Sequence, residues 1–339
     1  MPCTIVVGGF YGDEGKGKVV SYLAWRDKPY AAARGGVGPN AGHTVVFEGR
    51  TYKLRQLPSA FVSKDTRLYI GAGVLIDPKV FLREVKETGC RGRIWIDGNC
   101  GVIEEKHIEE DRKSKHLSGR VGTTGTGCGP ANAERALRVL KIAREVDTLR
   151  EYITDVALVL NEALDSGYSI LLEGTQGTFL SLYHTDHYPY CTSKDTTASA
   201  VCSDIGIGPR KVTDIILVFK AYTTRVGGGP LEGELPAEKA KEMGILEIAT
   251  VTGRVRRAAP FNFKLAKRAI MLNSATQIAI TNIDRMYPAA YGIKSYDALP
   301  KRAREFIEKV EDELKTPVTM ISTGPSVEDM IDLREEKLS

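Results

Sequence analysis

The sequence of 339 residues predicts an α/β protein with a large, mostly parallel central sheet and helices on both of its faces. Short β-branched runs alternate with amphipathic segments along the chain, which is typical of strand–helix–strand units. Glycine-rich segments directly follow several predicted strands, at the edge where such sheets bind ligands. Apolar residues make up 42% of the chain and charged residues 27%, a globular composition that excludes disorder or a coiled coil as the main state.

The predicted elements follow one another in a regular order. A buried strand over 4–7 ends at two glycines, and a helix over 18–25 follows it. The other strands are predicted over 93–96, 169–173, 214–221, 277–281 and finally 318–321. The other helices are predicted over 78–88, 107–117, 263–274 and 300–314, with a long, mostly helical stretch over 132–166. We expect a single α/β domain over 1–339, with peripheral subdomains as excursions at roughly 75–165 and 225–260.

Charge, hydropathy and cysteine use argue against several classes of protein. Lys and Arg number 47 against 43 Asp and Glu, and the formal charge of +4 is low for a protein that binds nucleic acid through bulk charge. No apolar run approaches the roughly 18–20 residues that span a bilayer, and the N-terminus lacks the basic region of an export signal. Six cysteines without a CxxC pair indicate free thiols. We therefore expect a cytoplasmic protein that binds neither nucleic acid nor membranes.

The first glycine loop, residues 8–18, reads G-G-F-Y-G-D-E-G-K-G-K and joins the first strand to the first helix. Glycines let backbone N–H groups converge on phosphate oxygens, and the helix N-terminus adds partial positive charge. Gly12 to Lys18 fits most of a P-loop, but Val19 stands where that motif has the Ser or Thr that holds magnesium. We therefore predict a fold similar to that of the P-loop NTPases, without a standard P-loop.

Two side chains near these glycines have the chemistry of catalytic groups. Asp13, with Glu14 beside it, places an anion where phosphates would bind, which is costly unless it holds a metal or moves a proton. The alternative is a tight turn with solvated charges. His43 lies in the second glycine-rich segment, R-G-G-V-G-P-N-A-G-H-T at 34–44. A histidine there can stabilise a transferring phosphate, but the residues alone leave a structural role equally open.

Eight motifs in a fixed order give the chain a specific resemblance. They are G-D-E-G-K-G-K at 12–18, N-A-G-H-T at 40–44, T-T-G-T-G-C-G-P at 123–130, E-G-T-Q-G-T at 173–178, Y-P-Y-C-T-S at 188–193, K-A-Y-T-T-R-V-G-G-G-P at 220–230, V-T-G-R-V-R-R at 251–257 and S-T-G-P at 322–325. Over essentially the whole chain, the sequence resembles a short form of the adenylosuccinate synthetase family.

The resemblance implies a homodimeric ligase that condenses IMP with L-aspartate, using GTP and magnesium, in the first committed step from IMP to AMP. The 6-oxygen of IMP is phosphorylated before the aspartate amine displaces it. Asp13 then matches the general base for N1 of IMP and a magnesium ligand, and the Gly42 carbonyl matches a second ligand. His43 matches the group that donates a hydrogen bond or proton to the phosphoryl group.

The resemblance also implies contacts to each substrate. The expected GTP contacts are Gly12, Asp13, Glu14, Gly15, Lys16, Gly17, Lys18, Gly42, His43, Thr44 and Arg256, and those to the guanine base Asn282, Ile283, Asp284, Ser322, Thr323 and Gly324. The expected IMP contacts are Asp13, Lys16, Asn40, Ala41, Gly42, His43, Thr124, Gln176 and Thr192, with Arg135 (or alternatively Arg138) reaching across the dimer interface. The expected aspartate contacts are Thr250, Val251, Thr252, Gly253, Arg254 and Arg256.

The chain departs from the family pattern at two places. Phe10-Tyr11 stands where the family has Gln-Trp, directly before G-D-E-G-K-G-K, and I-T-N-I-D at 280–284, which resembles the family's guanine motif T-K-x-D, has Asn282 in place of Lys. Two other functions stay open from the residues. A GTP-dependent switch would share the loop and Asp284 without needing Arg254, and a relative with the same nucleotides could use another amine. His184 and His187 also have the spacing of a zinc pair, and His107 and His116 are expected to be solvated.

Overall fold

A computed structural model describes residues 2–248 and 255–338. Its strands are β1 (Cys3–Gly8), β2 (Ala31–Arg34), β3 (His43–Phe47), β4 (Arg50–Leu54), β5 (Arg67–Ile70), β6 (Leu75–Ile76), β7 (Ile94–Asp97), β8 (Gly101–Val102), β9 (Ile153–Thr154), β10 (Ile170–Glu173), β11 (Asp214–Lys220), β12 (Tyr222–Arg225), β13 (Glu247–Ile248), β14 (Val255–Pro260), β15 (Gln277–Thr281), β16 (Val318–Ser322) and β17 (Met330–Asp332).

The α-helices of the described ranges are α1 (Lys16–Asp27), α2 (Pro78–Thr88), α3 (Glu105–Lys113), α4 (Cys128–Leu137), α5 (Val156–Asp165), α6 (Ala198–Ile205), α7 (Ala237–Glu242), α8 (Phe263–Asn273), α9 (Ile283–Met286), α10 (Lys301–Leu314) and α11 (Arg334–Lys337). A π-helix spans Lys115–Val121. Short 3-10 helices span Ser59–Val62, Ala143–Glu145, Asp147–Tyr152, Thr178–Leu180, Pro209–Lys211 and Pro288–Ala290. None of the helices described is both long and apolar enough to cross a bilayer.

The central sheet has ten strands in the order β17-β16-β15-β11-β1-β10-β2-β5-β7-β9. Its neighbouring strands are parallel, except that β17 pairs antiparallel with β16 at one edge. Three smaller sheets, β12–β14–β13, β3–β4 and β6–β8, lie outside it. The predicted large, mostly parallel sheet is therefore confirmed, whereas the division into one domain with excursions stays a prediction.

Both faces of the sheet are covered by helices. Successive residues of a strand point to opposite faces, so each strand contributes side chains to both cores. In β1, Ile5 and Val7 belong to the core on one face and Val6 to the core on the other. Helices α5, α6, α8 and α10 pack on the first face, and α1 and α2 on the second. Each fully buried side chain of this size contributes about 1.5–3 kcal/mol. The first loop therefore follows a strand that is buried on both faces.

The stretch predicted to be long and mostly helical over 132–166 is divided into several separate helices. Helix α4 ends at Leu137, where Arg138 takes a left-handed conformation (φ 64°) and its N–H bonds back to the last turn. Helix α5 starts only at Val156, capped by the Asp155 side chain. Between them the chain forms two 3-10 helices and β9. The stretch is therefore a series of short helices rather than one continuous helix.

Three further expectations need correction. The helix predicted over 107–117 ends at Lys113, because the Ser114 side chain caps a separate π-helix. The strand predicted over 318–321 is present, but it is not the last strand, because β17 follows it. His107 is buried rather than solvated: its Nδ1 accepts a hydrogen bond from the Glu104 N–H, and its Nε2 lies 2.9 Å from a Glu134 oxygen. The other predicted helices and strands end within two residues of the observed ones.

Candidate active site

A cavity of about 610 Å³ lies at the carboxyl ends of the central strands, between the loops that carry the motifs. Parallel strands bring the segments that follow β1, β2, β10, β11 and β15 to this same edge. The predicted site residues that line the cavity are Gly12, Asp13, Gly15, Lys16, Gly17, Asn40, Ala41, Gly42, His43, Thr44, Thr124, Gln176, Thr192, Arg256 and Asn282.

Other predicted residues lie elsewhere in the structure. Those placed away from the lining of this cavity are Glu14, Lys18, Arg135, Ile283, Asp284, Ser322, Thr323 and Gly324. The predicted aspartate contacts Thr250, Val251, Thr252, Gly253 and Arg254 lie outside the described residues.

The two neighbouring carboxylates of the first loop have different surroundings. Glu14 is buried and accepts hydrogen bonds from the backbone N–H groups of Phe10 (3.0 Å) and Gly12 (2.7 Å) and from Lys16 Nζ (2.8 Å). It therefore stabilises the loop from within. Asp13 instead lines the cavity, and its side chain is 24% exposed. Of this pair, Asp13 is the carboxylate that can meet a ligand.

Arg256 joins Asp13 to a second buried carboxylate. Arg256 Nε lies 3.1 Å from Asp13 Oδ2, and its Nη1 donates to Glu247. Glu247 also accepts two hydrogen bonds from Lys220 Nζ (2.8 and 2.9 Å) and one from the Tyr222 hydroxyl. Burial alone would raise the pKa of Glu247, but the charges of Lys220 and Arg256 lower that pKa to about 2. Glu247 is therefore an anion that holds Arg256 beside the cavity.

His43 is held by a buried carboxylate at the end of β10. Its Nδ1 hydrogen-bonds to Glu173, which also accepts from Arg34 Nη1 (3.1 Å) and from the N–H and hydroxyl of Ser59 (both 2.7 Å). Burial, assisted by the charge of Arg34, lowers the pKa of His43 to about 4. Against its own burial, Arg34 and His43 lower the pKa of Glu173 to about 2. At neutral pH, a neutral imidazole therefore donates to an ionised carboxylate, and Nε2 is left for a ligand.

A second cluster forms around the amino group of Lys18. Its Nζ donates to the Ser322 hydroxyl (2.6 Å), to the Gly324 carbonyl and to the Asp329 carbonyl (2.8 Å). Burial lowers the pKa of Lys18 to about 7, although the charges of Asp329 and Asp284 oppose that shift. The structure thus brings Lys18 and Asp284 together with the 322–324 strip, beside the cavity rather than in its lining.

The loops expected to hold IMP meet at Asn40. Asn40 Nδ2 donates to Thr192 Oγ1 (3.2 Å), while its Oδ1 is buried and finds no hydrogen-bond partner among the residues described. A buried acceptor without a partner is unfavourable, so this atom indicates a site for a donor of the ligand. Asp111 of α3 accepts from Thr123 Oγ1 (2.6 Å) and from the Gly127 N–H (2.9 Å), so it anchors the neighbouring loop that contains Thr124.

Arg135, in the last turn of α4, and Arg138, directly after that helix, differ in their hydrogen bonds and exposure. Arg135 Nη2 donates to the carbonyls of Ala72 (2.8 Å) and Asn99 (3.0 Å) in its own chain. Arg138, at the end of the helix, is exposed. Leu137 and Val139, on either side of it, are 70% and 66% exposed.

Sequence reasoning assigned no individual role to Glu173, Lys220, Tyr222 or Glu247. The sequence does carry a signal for two of them, because Glu173 and Lys220 are the charged last residues of the buried apolar strands β10 and β11. A charge at the carboxyl end of a parallel strand points to the ligand edge of the sheet. The positions of Tyr222 and Glu247 depend on how the β12–β14–β13 sheet packs, which no local pattern indicates.

Known proteins resemble this chain over nearly its whole length. The chain matches the sequence model of the adenylosuccinate synthetase family over residues 5–145, 138–290 and 288–331. It is 52% identical to the adenylosuccinate synthetase of Archaeoglobus fulgidus, over 100% of both chains. It is 53% identical to that of Methanocaldococcus jannaschii, over 99% of this chain and 98% of the relative.

Two solved structures share the fold along nearly the whole chain. The fully ligated adenylosuccinate synthetase of Plasmodium falciparum superposes with a TM-score of 0.90 at 24% identity, over 97% of this chain and 99% of that chain. The succinoaminodeoxyadenylate synthetase of cyanophage S-2L, bound to dGMP and dATP, has a TM-score of 0.82 at 26% identity, over 97% and 95%. From the full-length identity and the family match, we conclude that the chain belongs to the adenylosuccinate synthetase family.

Proposed function

We propose that Asp13 removes the N1 proton of IMP in the GTP-dependent ligation of IMP to L-aspartate that this enzyme catalyses. Loss of that proton makes O6 an oxyanion, which attacks the γ-phosphorus of GTP and releases GDP. The aspartate amine then attacks C6, and phosphate leaves. One observation carries the assignment: Asp13 lines the cavity that His43 also lines, whereas Glu14 is sealed inside the loop.

Cationic side chains share the cavity with Asp13. Arg256 lies at ion-pair distance from it, and Lys16 lines the same cavity while pairing with Glu14. The carboxylate that is proposed to accept the N1 proton of IMP therefore lies among cations at the cavity.

His43 is proposed to stabilise the phosphoryl group in transfer. Its Nδ1 is fixed by the ionised Glu173, which leaves Nε2 toward the cavity. An anionic phosphoryl group favours protonation of the ring, and the Glu173 carboxylate stabilises the imidazolium that results. Glu173 therefore acts as the residue that orients His43.

The residues present fit a magnesium ion. The Asp13 carboxylate and the Gly42 carbonyl belong to segments that line one cavity, and such oxygen ligands are those that Mg²⁺ prefers. Within residues 2–248 and 255–338, no group of three or more His, Cys, Asp or Glu side chains is placed to hold a metal. That donor set suits a cation that shares its coordination with substrate phosphates and water. When bound, Mg²⁺ would neutralise charge on the transferring phosphate. Asp13 is proposed to accept the N1 proton of IMP, and His43 to donate to the phosphoryl group.

The remaining contacts are proposed for the guanine base, for IMP and for aspartate. Asp284, with the 322–324 strip, is proposed to read the N1–H and 2-amino groups of guanine. Asn40, Thr124, Gln176 and Thr192 are proposed to hold IMP, and the unpartnered Asn40 Oδ1 supports this. Two carboxylates of aspartate call for guanidinium donors, which Arg256 and the segment 250–254 supply.

We further propose a homodimer in which Arg138, rather than Arg135, reaches the IMP of the partner subunit. Arg135 is committed to carbonyls of its own chain, whereas Arg138 is exposed between two exposed apolar side chains, Leu137 and Val139. Arginine is enriched in protein interfaces, and neighbouring exposed apolar side chains mark interaction sites. The proposed location is the cytoplasm, supported by six free cysteines, which suit a reducing compartment.

A phosphate-release assay tests this function directly. GTP, IMP and magnesium are supplied with and without L-aspartate, and the purine absorbance is followed in parallel. Phosphate release that requires all three substrates, with a matching absorbance change, is expected. GTP hydrolysis that is indifferent to IMP and aspartate would instead indicate a GTP-dependent switch. Turnover that needs IMP and a different amine would contradict the assignment of residues 250–257.

A further inference from the structure

An ion pair behind the cavity joins Lys194 to Asp204. Lys194 Nζ donates to an Asp204 oxygen and to the Gly73 carbonyl (2.6 Å), and it lies 3.4 Å from the Gly36 carbonyl. The other Asp204 oxygen accepts from the Gly36 N–H (2.8 Å). The side chains of Lys194 and Asp204 are 21% and 8% exposed. One cation and one anion thus connect four segments of the chain.

The segments meet too closely to tolerate a shift. A Cβ on Gly73 would lie 2.0 Å from Asp204 Oδ1, and one on Gly36 would lie 2.1 Å from Thr175 Oγ1. Gly36 also has a φ of +99°, which residues other than glycine rarely adopt. Gly73 is therefore placed for close approach to Asp204, and Gly36 for close approach to Thr175.

The pair is two residues away from a proposed substrate contact. Thr192 lines the cavity and accepts from Asn40, and Asn40 belongs to the same glycine-rich segment as Gly36. The Lys194 carbonyl also accepts from the Leu182 N–H (3.0 Å), at the start of the same loop. Lys194 and Asp204 are themselves absent from the described residues that line the cavity. Any effect of this pair on IMP must therefore pass through the loop.

If the pair had only a structural role, removal of Lys194 would have a different effect on the kinetics. Asp204 lies in the last turn of α6, where the helix dipole disfavours a carboxylate, and it is buried there. Removal of Lys194 would therefore lower the stability of the fold in either case. A purely structural role would change the use of IMP and of GTP alike, whereas a role in orienting Thr192 would change the use of IMP alone.

We propose that Lys194 is a positioning residue for IMP: by joining Asp204 to the Gly36 and Gly73 segments, it fixes the loop so that Thr192 meets IMP. The inference rests on the proposed contact between Thr192 and IMP. It adds a residue outside the cavity lining to the determinants of affinity for this substrate.

The test compares Lys194→Met, Lys194→Arg and the double variant Lys194→Met/Asp204→Asn with the wild-type enzyme. KM for IMP, KM for GTP, kcat and the thermal midpoint are measured for each. Lys194→Met is expected to raise KM for IMP about tenfold, since it removes charge-assisted hydrogen bonds, while KM for GTP and kcat stay within about twofold. Lys194→Arg is expected to recover most of the IMP affinity.

The double variant separates stability from positioning. It removes the charge left buried by Lys194→Met, so the thermal midpoint is expected to recover while KM for IMP stays raised. It also replaces Lys194→Met if that variant fails to fold. Lys337→Met is the control, because the Lys337 side chain is 25% exposed, close to the 21% of Lys194, and pairs with Glu311 away from the cavity lining. Its KM for IMP is expected to stay unchanged.

Two results would overturn the proposal: an equal rise in KM for GTP, or an unchanged KM for IMP in both Lys194→Met and the double variant. Thr192→Val tests the underlying assignment separately. If its KM for IMP is unchanged, the proposed contact itself is wrong. If Thr192→Val raises KM for IMP and Lys194→Met does not, only the positioning role fails.

Discussion

Arg256 Nε lies 3.1 Å from Asp13 Oδ2, so a residue of β14 and a residue of the first glycine loop form an ion pair at the cavity. Arg256 also pairs with Glu247 of β13. The segment 249–254, which contains most of the predicted aspartate contacts, is the connection between these two strands. The described residues that flank this connection, Glu247 and Arg256, are thus linked to Asp13, the proposed general base.

Asp13→Asn is expected to lower kcat by about 10²–10⁴-fold, the usual contribution of general acid–base catalysis. The amide cannot accept the N1 proton of IMP, but it has the size of the carboxylate. Asn also tolerates the left-handed backbone of this position (φ 62°), so the fold is expected to stay intact. Phosphate release gives the rate, and circular dichroism checks the fold. Near-normal turnover would eliminate Asp13 as the base.

Glu173→Gln is expected to lower kcat by roughly 10–100-fold and the free energy of unfolding by about 2 kcal/mol, because hydrogen bonds to a charged group are lost. Glutamine keeps the length of the side chain but not the charge that stabilises a protonated His43. Steady-state kinetics and urea unfolding measure the two effects.

Glu84→Gln is the matched control for this variant. Glu84 is also a buried carboxylate, and it accepts from the N–H groups of Arg55 (2.7 Å), Gln56 (3.0 Å) and Leu57 (3.0 Å). It makes no contact with His43 among the hydrogen bonds described, so its substitution should affect unfolding more than kcat. Equal losses of kcat in both variants would show that Glu173 has no specific role beside His43.

The sequence predicts the loops of this site better than the contacts between them. Asp13 and His43 could be predicted as candidate catalytic residues, because each lies in a contiguous glycine-rich motif after a strand. Glu173 and Glu247 act on them from distant positions, and their partners are defined only by tertiary packing. In the fold, β1 is recognisable from its β-branched run, whereas β2 reads Ala-Ala-Ala-Arg and has no such signal. Its strand conformation comes from pairing with β10 and β5.

The protein is expected to lose stability in acid, beginning below about pH 6.5. The pKa of His43 is lowered from its ordinary value of 6.5 to about 4, so in this interval the unfolded state binds a proton that the folded state does not. Unfolding is therefore favoured as the pH falls, by at most about 1.4 kcal/mol per pH unit for one proton. Glu173, with its pKa lowered to about 2, adds a further loss between about pH 4.5 and pH 2. Urea unfolding at several pH values measures the slope.

His43→Asn provides the control for this pH dependence. The variant is expected to show a shallower slope between about pH 6.5 and pH 4, since it lacks the titrating ring. Its slope below about pH 4.5 should persist, because Glu173 is still present. An unchanged slope in the upper interval would show that other groups cause the loss of stability there.

A mixture of two inactive variants should recover activity if each site uses residues of both subunits. In a heterodimer of Asp13→Asn and Arg138→Ala, one site combines the intact Asp13 of one subunit with the intact Arg138 of its partner. Random exchange of subunits in an equimolar mixture gives about a quarter of the wild-type turnover. Asp13→Asn mixed with His43→Asn is the control and should stay inactive, because both residues serve the site of their own subunit. Recovery with Arg135→Ala in place of Arg138→Ala would assign the cross-subunit contact to Arg135, whose guanidinium would then have to leave the carbonyls of Ala72 and Asn99.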